Sequence, residues 1–140
     1  MSMERFCRKE VATIQLRDTV ARAARTMMEK HVGALVVVDE KRRPVGMITD
    51  RDITCRVVAA MHDPGTTSVE SAMSRDLVTV RQDETIDGVA FSMRKHGVRR
   101  LPVVDTEGRL AGLVAFDDMV VLLSRELGET VATLQDNRGP

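Results

Sequence analysis

Aromatic side chains are nearly missing: Phe6, Phe91 and Phe116 make up 2% of the chain, and there is no Trp or Tyr. That argues against single-stranded nucleic acid as a partner, because bases are normally held on aromatic platforms. There is no excess of either charge, with 21 basic and 21 acidic residues, so no broad field draws nucleic acid or anionic lipid, and any anion site must be local. Only two cysteines occur, Cys7 and Cys55, neither in a C-x-x-C pair nor near a histidine at metal-ligand spacing. A zinc site is therefore not expected, and two lone thiols fit a reducing cytoplasm. Long apolar runs are absent too. The longest aliphatic run, Ala34 to Val38, is far too short to span a bilayer, and MSMERFCRKE at the start lacks the apolar centre of a secretory signal. At 140 residues the chain is too short for a large multi-domain enzyme.

About sixty apolar residues, 43% of the chain, are enough to fill a core without disulfides or metals, and 30% charged residues suit a solvated surface. Sliding the chain by 66 positions aligns its halves without a gap. The identical pairs are Thr13/Thr79, Thr19/Thr85, Ala24/Ala90, Met27/Met93, Val32/Val98, Leu35/Leu101, Val37/Val103, Val38/Val104, Asp39/Asp105, Arg43/Arg109, Gly46/Gly112 and Asp52/Asp118. Twelve identities over roughly 44 positions point to a gene duplication.

Each copy carries the same hydrophobic pattern. A short strand (Thr13 to Leu16; Val78 to Arg81) precedes a helix beginning near Asp18 or Glu84, whose apolar residues recur at helical spacing. The helices end near His31 and Gly97. Ala34 to Asp39 and Arg100 to Asp105 are continuous and β-branched enough for buried strands, and Val45 to Thr49 and Leu110 to Ala115 follow after polar turns. Asp50 or Asp117 then opens a helix. The predicted fold class is α/β, two tandem β-α-β-β-α repeats packed with pseudo-two-fold symmetry. The repeats span 10–60 and 76–125, joined by a linker with a short helix near Ser68 to Met73 (61–75). The last helix is expected from about Asp117 through Leu134, with Val120, Val121, Leu123, Leu127, Val131 and Leu134 on one apolar face; its extension and a frayed DNRGP tail occupy 126–140.

Three stretches, GMITDRDI (Gly46 to Ile53), HGVRRLPVVD (His96 to Asp105) and GLVAFDDM (Gly112 to Met119), together with the repeat, make the chain resemble a tandem pair of CBS domains, the cystathionine-β-synthase-type regulatory module, here a stand-alone pair. The resemblance implies clefts between the repeats that bind an adenosine-containing compound: AMP, ADP, ATP, NAD or S-adenosylmethionine. It also implies a homodimer, and an unknown protein effector acted on in trans, with no catalytic cofactor.

Within the family pattern G-h-h-[ST]-x-x-D, Gly46 allows close backbone approach and Thr49 sits where strand gives way to helix. The free N–H groups of a helix start, the Thr49 hydroxyl and Arg51 suit a phosphate, and Asp52 can accept both hydrogen bonds of a ribose diol. The same residues also read as an ordinary helix start, with Thr49 a cap and Asp52 a first-turn carboxylate. The second copy keeps Gly112 and Asp118 but has Ala115 and Phe116 in place of Thr49 and Asp50. Arg99 and Arg100 match positions that touch phosphates in some family members, and they read equally as solvated arginines. The ribose site around Thr49 and Asp52 is expected to be the stronger.

His31, His62 and His96 are dispersed and carry no catalytic or metal role in this reading. The nine methionines read as core filler or interface padding, and Cys55 as a semi-buried helix residue. No Walker loop, G-x-S-x-G elbow or H-E-x-x-H motif occurs. Regulation is therefore favoured over catalysis, with a ligand-free adaptor as the alternative and a small enzyme acting on an adenosine compound behind it.

Overall fold

A computed structural model describes residues 3–136; of the DNRGP tail expected to fray, Asp136 ends the last helix and residues 137–140 lie outside the described residues. In chain order the elements are a 3-10 turn (Met3–Arg5), β1 (Cys7–Arg8), β2 (Thr13–Gln15), α1 (Val20–Lys30), β3 (Ala34–Val38), β4 (Pro44–Thr49) and α2 (Asp50–Ile53), which runs on as a π-helical turn (Thr54–Val58). After α3 (Val69–Ala72) come β5 (Val80–Arg81), α4 (Ile86–His96), β6 (Arg100–Val104), β7 (Leu110–Ala115) and α5 (Phe116–Asp136). The β-α-β-β-α order expected of each copy is present twice.

Equivalent residues start and stop the equivalent helices. The Thr19 hydroxyl accepts from the Arg22 N–H and the Thr85 hydroxyl from the Gly88 N–H. α1 and α4 therefore begin one residue after each cap, slightly later than Asp18 and Glu84 suggested. They end in the left-handed conformation at His31 (φ 54°) and Gly97 (φ 65°). His96 Nδ1 lies 2.9 Å from the Ser92 carbonyl, in the role expected of an imidazole at a helix end.

The first sheet has the order β2-β3-β4 and the second β1-β7-β6-β5. In each, the first strand of the copy runs parallel to the second, the second and third are antiparallel, and a bulge interrupts the register at Val37/Val38 or Val103/Val104. The turns match as well. Asp39 accepts from the Lys41 and Arg43 N–H groups, and Asp105 from those of Glu107 and Arg109, at 2.9 Å in all four cases.

Two segments that the sequence pattern left outside the repeats complete them in space. β1 pairs antiparallel with β7, Arg8 opposite Leu113, and Met3 and Phe6 are buried in the core of the second copy beside Val89, Leu101 and Val114. In the first copy Ser74 bridges Met47 in the same way, and Val69, Ala72 and Met73 are buried in that core beside Val20, Leu35 and Ile48. Residues 3–8 and 69–74 are themselves 66 positions apart, and Glu4 and Glu70 are identical. Each segment crosses a glycine. A Cβ on Gly46 would stand 2.7 Å from the Ser74 carbonyl oxygen and 2.8 Å from Met73 Sδ, and one on Gly112 would overlap Cys7 Sγ and stand 2.8 Å from the Arg8 carbonyl oxygen. The close approach that Gly46 and Gly112 permit is thus made by the chain's own crossing segments.

The copies meet through a third apolar cluster of Val36, Val38 and Leu110, with Val11, Met47 and Leu113 packed against it. Of the methionines, Met3, Met27, Met73, Met93 and Met119 are buried, whereas Met28 and Met61 are exposed. Cys55, expected to be semi-buried, is exposed, because it lies on the outer side of the π-helical turn whose inward residue is Val57. No helix among the described residues is long and apolar enough to cross a membrane.

Candidate functional site

The glycine-to-aspartate motif ends β4 and opens α2. Thr49 is the N-cap there: its hydroxyl accepts from the Asp52 N–H at 3.1 Å, and Asp52 Oδ2 accepts from the Thr49 N–H at 2.9 Å, closing a capping box. The remaining carboxylate oxygen, Asp52 Oδ1, lies 4.0 Å from Arg56 Nε, and Arg56 in turn donates to the Ala72 and Met73 carbonyls. Asp52 is thus half-buried and tied to its own helix start and to α3. Arg51 is exposed, and its side chain has no ion-pair partner among the described residues.

The equivalent motif at the β7–α5 junction is arranged differently. Ala115 has no hydroxyl to cap α5, so the carboxylate of Asp118 is not drawn into a capping box. It accepts instead from Arg8 Nε at 2.7 Å and Arg8 Nη2 at 2.8 Å, a bidentate pair reaching in from β1. Hydrogen bonding to Asp118 and the negative charge there raise the pKa of the Arg8 guanidinium above its ordinary value. Arg99 donates to Asp117 at 2.5 Å, and its guanidinium lies 5.2 Å from the centre of the Phe116 ring. Arg100 is exposed without a side-chain partner among the described residues.

A cavity of about 420 Å³ opens where these groups meet the first copy, a volume within the range of small-molecule sites. Arg8, Arg99, Arg100, Asp117 and Asp118 line it from the second copy and its crossing segment, together with Leu113 and Ala115, and residues of the first copy, among them His31, Gly33, Ala34, Val36 and Met47, line it with Glu10. Of the residues singled out in the sequence, Arg99, Arg100 and Asp118 come together here. Gly46, Thr49, Arg51, Asp52 and Gly112 do not line this cavity; Gly46 and Gly112 are buried beneath the crossing segments. Arg8 was not singled out in the sequence, and His31, read there as a helix-end residue without a catalytic or metal role, also lines the cavity. Carrying the 66-residue offset back to Glu4/Glu70 would have exposed the crossing segment, but nothing local to Arg8 marks Asp118 as its partner. Among the described residues no group of three or more His, Cys, Asp or Glu is placed to hold a metal ion.

The CBS domain model matches residues 3–58 and 69–125, so both matches include a crossing segment. The chain is 33% identical over 120 residues to the protein MK0525 of Methanopyrus kandleri, a stretch covering 86% of this chain and 61% of that relative's length. It is similar to Hypoxic Response Protein I, solved with two coordinated zinc ions (TM-score 0.77, 30% identity, 86% of this chain and 97% of that one). It is also similar to the CBS domain pair of protein MJ0100, solved in complex with 5′-methylthioadenosine and S-adenosyl-L-methionine (TM-score 0.76, 28% identity, 90% and 98%). With two matched copies, two equivalent sheets and a cleft between them, the chain belongs to the CBS domain family as a tandem pair.

Proposed function

We propose that this CBS pair is a regulatory module that binds an adenosine-containing compound, AMP, ADP, ATP, NAD or S-adenosylmethionine, between its two copies and acts on an effector protein in trans. The observation that carries the reading is the inter-repeat cavity, where a carboxylate able to accept a ribose diol stands beside Arg99 and Arg100, which suit a phosphate. The relative solved with methylthioadenosine and S-adenosyl-L-methionine supports the ligand class. A second ribose site is assigned to Thr49, Arg51 and Asp52, but its carboxylate must first leave the capping box. Asp118 must likewise be released by Arg8; we rank its cavity first because Arg99 and Arg100 stand in it with Asp118, the reverse of the order expected from the Thr49 hydroxyl alone.

In this reading the module catalyses nothing. A ligand that bridges both copies favours one packing of them and shifts the population that meets the effector. The module works in the cytoplasm as a homodimer, whose interface covers the apolar stripe of α5; Val120, Val121, Leu127 and Leu134 are exposed on it. Light scattering should give twice 15.5 kDa; the monomer mass at micromolar concentration contradicts the dimer.

The decisive test is a thermal-shift screen across adenosine compounds on the purified protein. A ligand at about 100 times its Kd stabilises by about 2.7 kcal/mol. Because the chain has no Trp or Tyr, any strong near-ultraviolet band in purified protein belongs to a bound nucleotide. No shift with any compound, and no nucleotide released on denaturation, would favour the second reading, a ligand-free adaptor. The pairing of Asp118 with Arg8 and of Asp52 with Thr49 speaks for that alternative.

A further inference from the structure

Arg8 occupies both oxygens of Asp118, the same two acceptors that a ribose diol needs. Diol and guanidinium compete for them. Arg8 can yield, since its side chain is 67% exposed and its anchorage in the fold is the backbone pairing of β1 with β7, which does not depend on the guanidinium. A ligand that takes Asp118 therefore releases a cation into a cavity that already holds Arg99 and Arg100, the latter without a side-chain partner among the described residues, against the carboxylates of Glu10 and Asp117. Asp117 is committed to Arg99. A neutral nucleoside displaces an ion pair and returns no charge to Arg8, while a phosphate returns an acceptor group at the point of release.

We propose that Arg8 is a specificity-determining residue which makes the Asp118 cavity select phosphate-bearing adenosine compounds over uncharged ones, its guanidinium passing from the carboxylate to the ligand's phosphate as the ribose takes its place. The proposal rests on the adenosine-binding reading above and names the class of ligand for that site. The exchange keeps an anionic partner for Arg8: as the neutral diol takes the Asp118 oxygens, the phosphate that arrives with it accepts the guanidinium.

The test is calorimetric titration of AMP and of 5′-methylthioadenosine, at one salt concentration, into the unmodified chain and into Arg8→Gln, Arg8→Ala and Asp118→Asn. The unmodified chain should bind AMP at least about tenfold more tightly than methylthioadenosine, the effect of one charge-assisted hydrogen bond. In both Arg8 variants AMP should weaken and methylthioadenosine tighten, so that the preference collapses. Asp118→Asn removes the competing carboxylate but keeps Arg8, so binding should weaken overall while the preference for AMP persists. An unchanged AMP preference in the Arg8 variants, or tighter binding of methylthioadenosine by the unmodified chain, overturns the proposal and leaves the adenosine reading standing. Failure of the unmodified chain to bind either compound overturns the proposal for this cavity, and failure to bind ADP, ATP, NAD and S-adenosylmethionine as well overturns the adenosine reading itself.

Discussion

The starts of α2 and α5 occupy equivalent places in the two copies and carry the same aspartate, yet the aspartates do different work. Asp52 turns back to cap its own helix with Thr49, whereas Asp118 reaches across to Arg8 of the crossing segment. Two positions account for the divergence: Thr49 against Ala115, and Ser74 against Arg8 in the crossing segments. Where Thr49 supplies a hydroxyl the carboxylate has a local partner network. Where Ala115 supplies a methyl, the helix start is uncapped and the carboxylate is left available for a long-range cation. Duplication therefore preserved the frame of the two sites while the changes at Thr49/Ala115 and Ser74/Arg8 altered what each carboxylate can offer a ligand.

That comparison breaks most severely at the glycines. Gly112→Ala and Gly46→Ala should each destabilise by about 1–3 kcal/mol in urea unfolding, the cost of overpacking against backbone that cannot yield easily. Gly112→Ala should in addition separate Arg8 from Asp118, and equal stability of the variant and the unmodified chain would mean that the crossing segment contributes little. A smaller effect is expected from exchanging the caps. Thr49→Ala should cost about 1 kcal/mol and Ala115→Thr should recover a similar amount in α5, measured as paired melting curves. If the account is right, Ala115→Thr also draws Asp118 toward its own helix start, visible as a change in the Arg8 Nε resonance by NMR.

Smaller still is the difference at the turns. Arg42 holds φ 60° where its equivalent, Gly108, holds φ 79°. Arg42→Gly should therefore stabilise by about 0.5–1 kcal/mol, net of the extra freedom that glycine brings to the unfolded chain, and Gly108→Ala should cost about as much. The matching carboxylates should titrate alike. Backbone N–H donation from Arg43 lowers the pKa of Asp39, and donation from Arg109 lowers that of Asp105, each despite an opposing desolvation. Their stabilisation is complete above the unfolded carboxylate value and is lost as pH falls below about 4 through the folded value. Asp39→Asn and Asp105→Asn should each flatten the acid limb of the stability profile to a similar small degree; an effect confined to one copy would break the equivalence.

Periodicity and the 66-residue offset made the two β-α-β-β-α copies readable, because helix faces, buried strands and turn residues are local signals. The crossing segments were not readable in the same way. Met3, Phe6 and Cys7 sit among charged residues with no period, and Met3 and Phe6 are buried, and Cys7 partly so, only because the second sheet accepts β1 at its edge. The partner of Asp118 lies 110 positions away, a separation that no spacing rule spans. Arg99 and Arg100 were visible as candidates, yet which cleft they line depends on how the copies pack, through Val36, Val38 and Leu110. Cys55 was misplaced for a related reason: a π-helical turn displaces the face that an α-helical period assigns.

The central claim, that the Asp118 cavity is the principal adenosine site, is tested most directly by titrating AMP into Asp118→Ala and Asp52→Ala side by side. Loss of two charge-assisted hydrogen bonds to the diol should weaken binding by about 100-fold in Asp118→Ala. Asp52→Ala should lose fold stability with its capping box while its affinity for AMP stays within about threefold of the unmodified chain. The reverse result, binding abolished by Asp52→Ala and spared by Asp118→Ala, would contradict the account and return the principal site to the capped helix of the first copy.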